Sequence, residues 1–269
     1  MGVGDALMAS GEVRKLKVNK PFAKFVIGDG KKSYWNEVFD NNPYIISESE
    51  IHKHDEVYWI KNYEGNRPYR NYGDEFPKDK YNWKKYRALK GEFYFTKKEI
   101  SLAEKVITAI KKNTGQKKII FIEPHVKKRK GYENRDWGFH NWQKVATELS
   151  SFYTFLQITY AERQPLKGSI NINGLNFRTS SAILSMCDLF LGPEGGMAHA
   201  AAATNSKAVV IWGGHISPDI TGYDFHNNIY NKHPLSPCGN KELCSHCQDS
   251  LTKITTDNVI KEIKNIFNN

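Results

Sequence analysis

Residues Asp188 to Thr204 read Asp-Leu-Phe-Leu-Gly-Pro-Glu-Gly-Gly-Met-Ala-His-Ala-Ala-Ala-Ala-Thr and concentrate the groups best suited to chemistry. Leu189 to Leu191 forms a short apolar strand pattern, Gly192 to Gly196 a glycine-rich turn, and Met197 opens an alanine-rich helix. That succession offers the backbone N–H groups of Gly195, Gly196 and Met197, together with the positive end of a helix, to an anionic ligand. The dipole alone contributes roughly 0.3–2 kcal/mol to such binding. The turn also carries a carboxylate, Glu194, and the helix a histidine, His199. A cradle built for anions alone has no need of either.

Three further groups of residues have chemical potential. Gly213-Gly214 follows the apolar run Ala208 to Trp212, at what would be the carboxyl edge of a parallel sheet, where ligands bind in such folds. Cys238, Cys244 and Cys247 lie close together with His233 and His246 nearby. Cys-x5-Cys-x2-Cys admits a structural zinc site, a local disulfide or a loop of free thiols. One Cys-x2-Cys without a second pair favours free thiols, so no metal is assigned. The third group is basic. Residues 97–135 carry 12 Lys and Arg against 4 Asp and Glu, whereas 136–269 carry 10 against 11, so one segment supplies most of the net charge of +10. It includes Lys127-Lys-Arg-Lys130 and suits nucleotide phosphates, an anionic acceptor or nucleic acid; a solvated lysine-rich surface explains it equally well.

The elements that must position these residues follow an α/β pattern. Hydrophobic content of 39% with 25% charged residues fits a globular chain, and no apolar run reaches the roughly 18–20 residues of a membrane span. Met1 to Asp5 has no basic region leading into an apolar stretch, so a signal peptide is not expected and the expected location is cytoplasmic, with peripheral membrane association an option. Thr96-Lys-Lys-Glu99 is a capping box that opens a helix to about Asn113, with Ile100, Ala103, Val106, Ile107 and Ile110 on its buried face. Helices at 142–150, 179–186 and 256–267 alternate with strands at 118–122, 154–159, 171–177, 189–191 and 208–212, which implies a parallel sheet covered on both faces. Nearer the start, the pattern predicts a helix over 5–16, strands at 24–27, 44–46 and 57–60, and a short helix at 34–39. Residues 52–92 are aromatic, charged and punctuated by Gly65, Pro68, Gly73 and Pro77, and read as a loop-rich acceptor surface or an irregular connector. Two domains are expected: a reduced one at 1–95 and a second, Rossmann-like one at 96–269.

Gly192-Pro-Glu-Gly-Gly-Met-Ala-His199-Ala-Ala-Ala-Ala resembles the donor-site signature of glycosyltransferase family 9, the heptosyltransferase-like enzymes. Gly2-Val-Gly-Asp-Ala-Leu-Met-Ala-Ser10 is similar to that family's N-terminal stretch, Arg135-Asp-Trp137 with Trp142-Gln-Lys-Val-Ala146 to its central segment, and the cysteine-containing tail with Ile254-Thr-Thr-Asp-Asn-Val259 to its ending. The resemblance implies a GT-B fold, two Rossmann-like domains facing a cleft, and metal-independent inverting transfer from a nucleotide-diphosphate sugar, with no cofactor. It makes Asp5 the catalytic base; an N-cap carboxylate is the structural alternative. Arg135 stands where the family places a lysine and is expected to grip the diphosphate, with Lys130 as second choice. Glu194 is expected to bind hydroxyls, since near the phosphates it would repel them, and His199 to reach the ligand or pack as a core histidine. Donor contacts are thus expected from Arg135, Lys130, Glu194, Gly195, Gly196, Met197, His199 and Gly213. Before Gly4 there is no room for the family's first full strand, so the first domain is expected to be short, with an unusual acceptor site or one completed by a homo-oligomeric partner.

The leading functional expectation is transfer to a saccharide acceptor, of lipopolysaccharide or another surface glycan. The alternatives are a glycosyltransferase acting on nucleic acid, for which the basic segment and the aromatic stretch Tyr58 to Tyr94 would serve, a sugar-nucleotide epimerase, and a non-catalytic nucleotide-sugar-binding protein. The epimerase reading wants paired acidic residues after the turn, where Ala200-Ala-Ala-Ala203 offers none.

Overall fold

A computed structural model of the chain describes residues 1–127, 132–160 and 163–268. Six parallel strands form its main sheet, in the order β10-β9-β8-β5-β6-β7. They are β5 (Ile119–Ile122), β6 (Thr154–Thr159), β7 (Ile170–Asn173), β8 (Leu189–Pro193), β9 (Ala208–Trp212) and β10 (Asn227–Tyr230). β5, β6, β8 and β9 are buried at every residue, as strands covered on both faces must be. From β5 the chain winds outward through β6 and β7, then returns to the other side of β5 to lay down β8. The strand order therefore reverses between β5 and β8, and a crevice opens beyond the carboxyl ends of that pair.

Helices α3 (Phe139–Leu149) and α8 (Thr256–Asn268) cover one face of the sheet. There Trp142, Val145, Leu149, Val259 and Ile263 pack on Ile120, Ile122, Leu189, Leu191, Val209 and Ile211. The alternate strand residues Ile119, Phe121, Phe190, Ala208 and Val210 face the other core, with α2 (Lys97–Asn113), α4 (Phe177–Leu184) and α5 (Gly196–Ala203). The expected capping box is formed at the start of α2, where Thr96 and Glu99 exchange bonds. Two short helices complete the C-terminal half, α6 (Pro218–Thr221) and α7 (Ser245–Thr252).

The first 95 residues do not build a second full sheet. Their only parallel pairing among the described residues is β1 (Lys24–Ile27) with β2 (Val57–Ile60), plus a bridge from Phe25 to Ile45 where a third strand was expected. A two-residue ribbon, β3 (Arg70–Asn71) with β4 (Asn82–Trp83), lies farther along. Helix α1 (Val3–Leu16) buries Ala6, Leu7, Met8, Ala9 and Val13. Such all-round burial marks a core helix. Leu7, Phe25, Phe39 and Ile60 share one continuous core with Phe121 and Phe190 of the main sheet.

Among the contacts that bind this N-terminal region to the sheet, two are central to its placement. Arg178 of α4, 3% exposed, pairs with Glu99 at 2.7 Å and donates to the carbonyls of Tyr94, Glu37 and Asp40 at 2.8, 3.1 and 3.2 Å. Helix α1 also lies unusually close to α5. A Cβ on Gly4 would stand 2.8 Å from Cδ2 of His199, and one on Gly196 would stand 2.7 Å from Cγ2 of Val3. Only glycine at these two positions permits the approach.

Candidate active site

Both glutamates at the crevice are the first residues beyond the strands that flank the reversal. Glu123 follows β5 and Glu194 follows β8; the Glu123 N–H bonds the Leu191 carbonyl at 2.9 Å, and the Glu194 N–H bonds that of Ile211 at 3.0 Å. Beyond Glu194, Gly195 takes φ 155 and ψ −163, a backbone region essentially reserved for glycine, and the chain enters α5 at Gly196. The turn and α5 thus form as the spacing predicts, one residue earlier than Met197. Gly195, Gly196 and Met197 line a cleft of about 450 Å³, as do Glu194, His199, Arg135 and Asp5. Asp5, near the start of the chain, and the Gly192 to Gly196 turn therefore share one cavity.

Each titratable group in the cleft has identifiable partners. The buried Glu194 carboxylate pairs with Arg135, Nε to Oε1, at 2.7 Å. Arg135 ends a 3-10 turn, Tyr132–Arg135, that is held by its neighbour Asn134. The Asn134 side chain donates to the Glu242 carbonyl at 2.7 Å and accepts from the Cys244 N–H at 3.0 Å. Arg135 therefore reaches the cleft as the partner of Glu194, and the pair offsets the repulsion a lone carboxylate would exert on a phosphate. His199 shares a 2.8 Å hydrogen bond between Nδ1 and the Tyr223 hydroxyl. Burial lowers its pKa, against the opposing pull of Glu194 and Asp5, so the ring is neutral near pH 7.

Asp5 does not cap α1. Gly2 is the N-cap, without a side-chain bond, and Asp5 sits inside the first turn. Its carboxylate accepts from the Tyr69 hydroxyl and pairs with Arg67 at 3.0 Å. Burial lowers the Arg67 pKa, but the Asp5 carboxylate, together with Tyr69 and Tyr72, more than offsets this and the net shift is upward. Burial and the same carboxylate push the Tyr69 phenol well up, so it remains a donor. These partners orient both carboxylate oxygens and leave lone pairs for a third donor.

The structure also brings in residues that periodicity did not single out. Glu123 accepts from the His125 N–H at 3.2 Å, and burial raises its pKa to about 7 in spite of that bond and of Arg163. Arg70 lies over the rings of Tyr81 and Tyr72 at 4.3 and 4.7 Å, its buried Nε without a partner among the described residues. Arg163, Lys127 and Lys241 add positive charge to the lining. Of the lysines and arginines in the basic segment 97–135, only Lys127 and Arg135 among the described residues line the cleft. Trp83 donates from Nε1 to the His215 carbonyl at 2.9 Å, and the Tyr81 N–H bonds the Gly239 carbonyl at 2.7 Å, which fastens the irregular arm to the donor side. The arm gave no signal beyond its aromatic content. Glu123, by contrast, was recoverable from the rule that ligands gather where strand order reverses.

Two expected donor residues need separate comment. Gly213 is not among the residues lining the cleft; a Cβ there would meet the Asn134 carbonyl at 2.3 Å, so the glycine makes room for the turn that carries Arg135. Lys130 lies outside the described residues. No described helix is long and apolar enough to cross a membrane.

A six-stranded parallel sheet with a cleft at its strand reversal gives the chain an α/β fold of the GT-B type. Two solved structures share it over 99% of this chain. One is the glycosyl transferase family 9 from Veillonella parvula DSM 2008, at 12% identity and TM-score 0.68 over 94% of its own length. The other is the E. coli ADP-heptose lps heptosyltransferase II, at 15% identity and TM-score 0.63 over 96%. At such identities the likeness establishes the fold. No protein-family model and no curated protein sequence matches the chain.

Proposed function

We propose that the chain is an inverting glycosyltransferase that moves a sugar from a nucleotide-diphosphate sugar to a hydroxyl of a saccharide acceptor, with no metal ion in the transfer step. One observation carries this reading: the Glu194–Met197 turn and the Asp5 carboxylate face the same cleft from separate parts of the fold. The N–H groups at the start of α5 and the positive side chains of Arg70, Arg163 and Lys241 suit a departing diphosphate. Glu194, held by Arg135, suits sugar or ribose hydroxyls. Asp5, oriented by Arg67 and Tyr69, accepts the proton of the acceptor hydroxyl as its oxygen bonds the anomeric carbon and the carbon–phosphate-oxygen bond breaks on the opposite face. The two similar structures, one of them an ADP-heptose lps heptosyltransferase, support a sugar-nucleotide donor and a surface-saccharide acceptor here.

The test is turnover of a panel of nucleotide-diphosphate sugars with saccharide acceptors, with the product anomer read by NMR. The reading expects inversion, no stimulation by added Mg²⁺, and a loss of about 10²–10⁴ in kcat for Asp5→Asn with donor affinity retained. Donor binding without turnover in the wild type would favour a non-catalytic binding protein. Undiminished turnover in Asp5→Asn would remove Asp5 as the base and direct attention to Glu123.

A further inference from the structure

Beside the cleft, where the lining residue Asn240 meets Cys238, three thiols and an imidazole converge. The ligand atoms of Cys238, Cys244, His246 and Cys247 all lie within 4.8 Å of one another. Cys238 Sγ stands 3.8 Å from Cys244 Sγ and 3.2 Å from Cys247 Sγ, and Cys244 Sγ stands 3.5 Å from His246 Nε2. All three cysteines are free, and their separations far exceed the roughly 2.05 Å of a disulfide. A zinc ion bonds thiolate sulfur at about 2.3 Å, which places two sulfurs of a tetrahedron about 3.8 Å apart. The Cys238–Cys244 spacing of 3.8 Å matches that value and the Cys238–Cys247 spacing of 3.2 Å is shorter, so the cluster is compact enough to close on one ion, with the fourth corner supplied by an imidazole nitrogen.

We propose that Cys238, Cys244, His246 and Cys247 bind one thiophilic divalent cation, Zn(II) by the donor set and geometry, in a closed structural site. The sequence pattern Cys-x5-Cys-x-His-Cys contains all four ligands, and the histidine was the missing member of what read as a lone Cys-x2-Cys. Cys244 is the N-cap of α7, and His246 and Cys247 lie in its first turn, where the helix dipole favours thiolates. Cys247 is buried and the other three are half-buried. The Asn240 N–H points at Cys238 Sγ from 3.4 Å, the kind of outer donor that orients a metal-bound thiolate. Four protein ligands leave no open position, so the ion is not a participant in transfer.

The site ties together segments that the cleft depends on. Cys238 belongs to a loop whose N–H bonds the Gly214 carbonyl, and Gly239 in the same loop bonds both His215 and Tyr81. Asn240 and Lys241 carry that loop into the cleft lining. The Cys244 N–H holds Asn134, next to Arg135. An ion joining Cys238 to the first turn of α7 therefore closes the loop on both sides of these contacts and fixes the base of the Arg135–Glu194 pair.

Elemental analysis of the full-length protein, purified under reducing conditions without a metal-affinity step, tests this directly. The expected result is about one transition-metal ion per chain. Replacement by Co(II) is expected to give a thiolate-to-cobalt charge-transfer band and the intense visible bands of a tetrahedral site. Cys238→Ser and Cys247→Ser are expected to lose the metal, and Cys187→Ser to keep it. Metal-free wild-type protein that takes up neither Zn(II) nor Co(II) after reduction would overturn the proposal, as would a Cys238–Cys247 disulfide found in protein drawn from cells. Because these readouts require no substrate and the wild type alone suffices, they stand whether or not the transferase reading holds and whether or not the serine variants fold.

Discussion

The wall of the cleft that begins at β5 and β8 rests on strands buried along their whole length and on a turn whose backbone is fixed by hydrogen bonds to its neighbours. The facing wall, from Tyr63 to Phe95, has one two-residue ribbon and depends on side chains: Tyr69 against Tyr86 and Trp83, Tyr81 against Trp83 and His215, Arg70 over Tyr81. The first wall places backbone N–H groups at a helix N-terminus, which suit an anionic ligand. The second places aromatic and guanidinium groups, which can be exchanged without disturbing the sheet. A fold divided this way can keep its anion cradle while the aromatic wall changes. The price is that the second wall must be tied to the first by a few contacts, and these are where the comparison can be broken.

The strongest tie is Arg178, whose partners come from Glu99, Tyr94 and the 37–40 segment. Arg178→Ala leaves Glu99 and these carbonyls unmatched, and is expected to cost about 3–5 kcal/mol in denaturant unfolding. A loss below about 1 kcal/mol would show that the two regions are held by the apolar core alone.

Next is the approach of α1 to α5. Alanine in place of an interior helical glycine ordinarily stabilises by about 0.8–1 kcal/mol. Gly4→Ala is expected to destabilise instead, by about 1–3 kcal/mol, because its Cβ would meet His199 at 2.8 Å. It should also weaken binding of the proposed donor, since His199 belongs to α5 and lines the cleft beside the helix N-terminus. A stabilised Gly4→Ala would mean that the two helices stand farther apart.

The smallest effect concerns Glu123, whose pKa rises from 4.5 to about 7 through burial. The folded state then holds a proton that the unfolded chain releases. This stability is fully present below pH 4.5 and is lost as pH rises through about 7. For a carboxyl that lines an open cleft the difference is about 1 kcal/mol, less than the full shift implies. Glu123→Gln is expected to flatten the stability profile between these pH values relative to wild type. In turnover, a limb near pH 7 that vanishes in Glu123→Gln would place the base on the sheet side of the cleft and not on α1.

The legibility of the sequence divides along the same line. The strands 24–27, 57–60, 154–159 and 208–212 coincide with β1, β2, β6 and β9, and the capping box and the glycine turn form where spacing puts them. Each is a local pattern enforced by burial. β10 and α7 escape because Asn227–Tyr230 is a half-exposed edge strand and Ser245–Thr252 has little apolar content. Arg178 reads as an ordinary helix residue, since its partners lie far away in the chain. Arg67, Tyr69 and Arg70 carry no period at all, and their place opposite Glu194 is a product of tertiary packing. Glu123 follows a recognised strand, but its meaning depends on the strand order, which no single segment encodes.

The most direct measurement is a thermal-shift titration of the wild type and Asp5→Asn with nucleoside diphosphates and nucleotide-diphosphate sugars. A ligand at 100 times its Kd stabilises the folded state by about 2.7 kcal/mol, several degrees in Tm. At least one nucleotide-diphosphate sugar and its parent diphosphate are predicted to raise Tm in both proteins, since the proposed phosphate contacts lie on the β8–α5 wall and not on Asp5. No shift with any of them would contradict the assignment of the cleft to a sugar nucleotide.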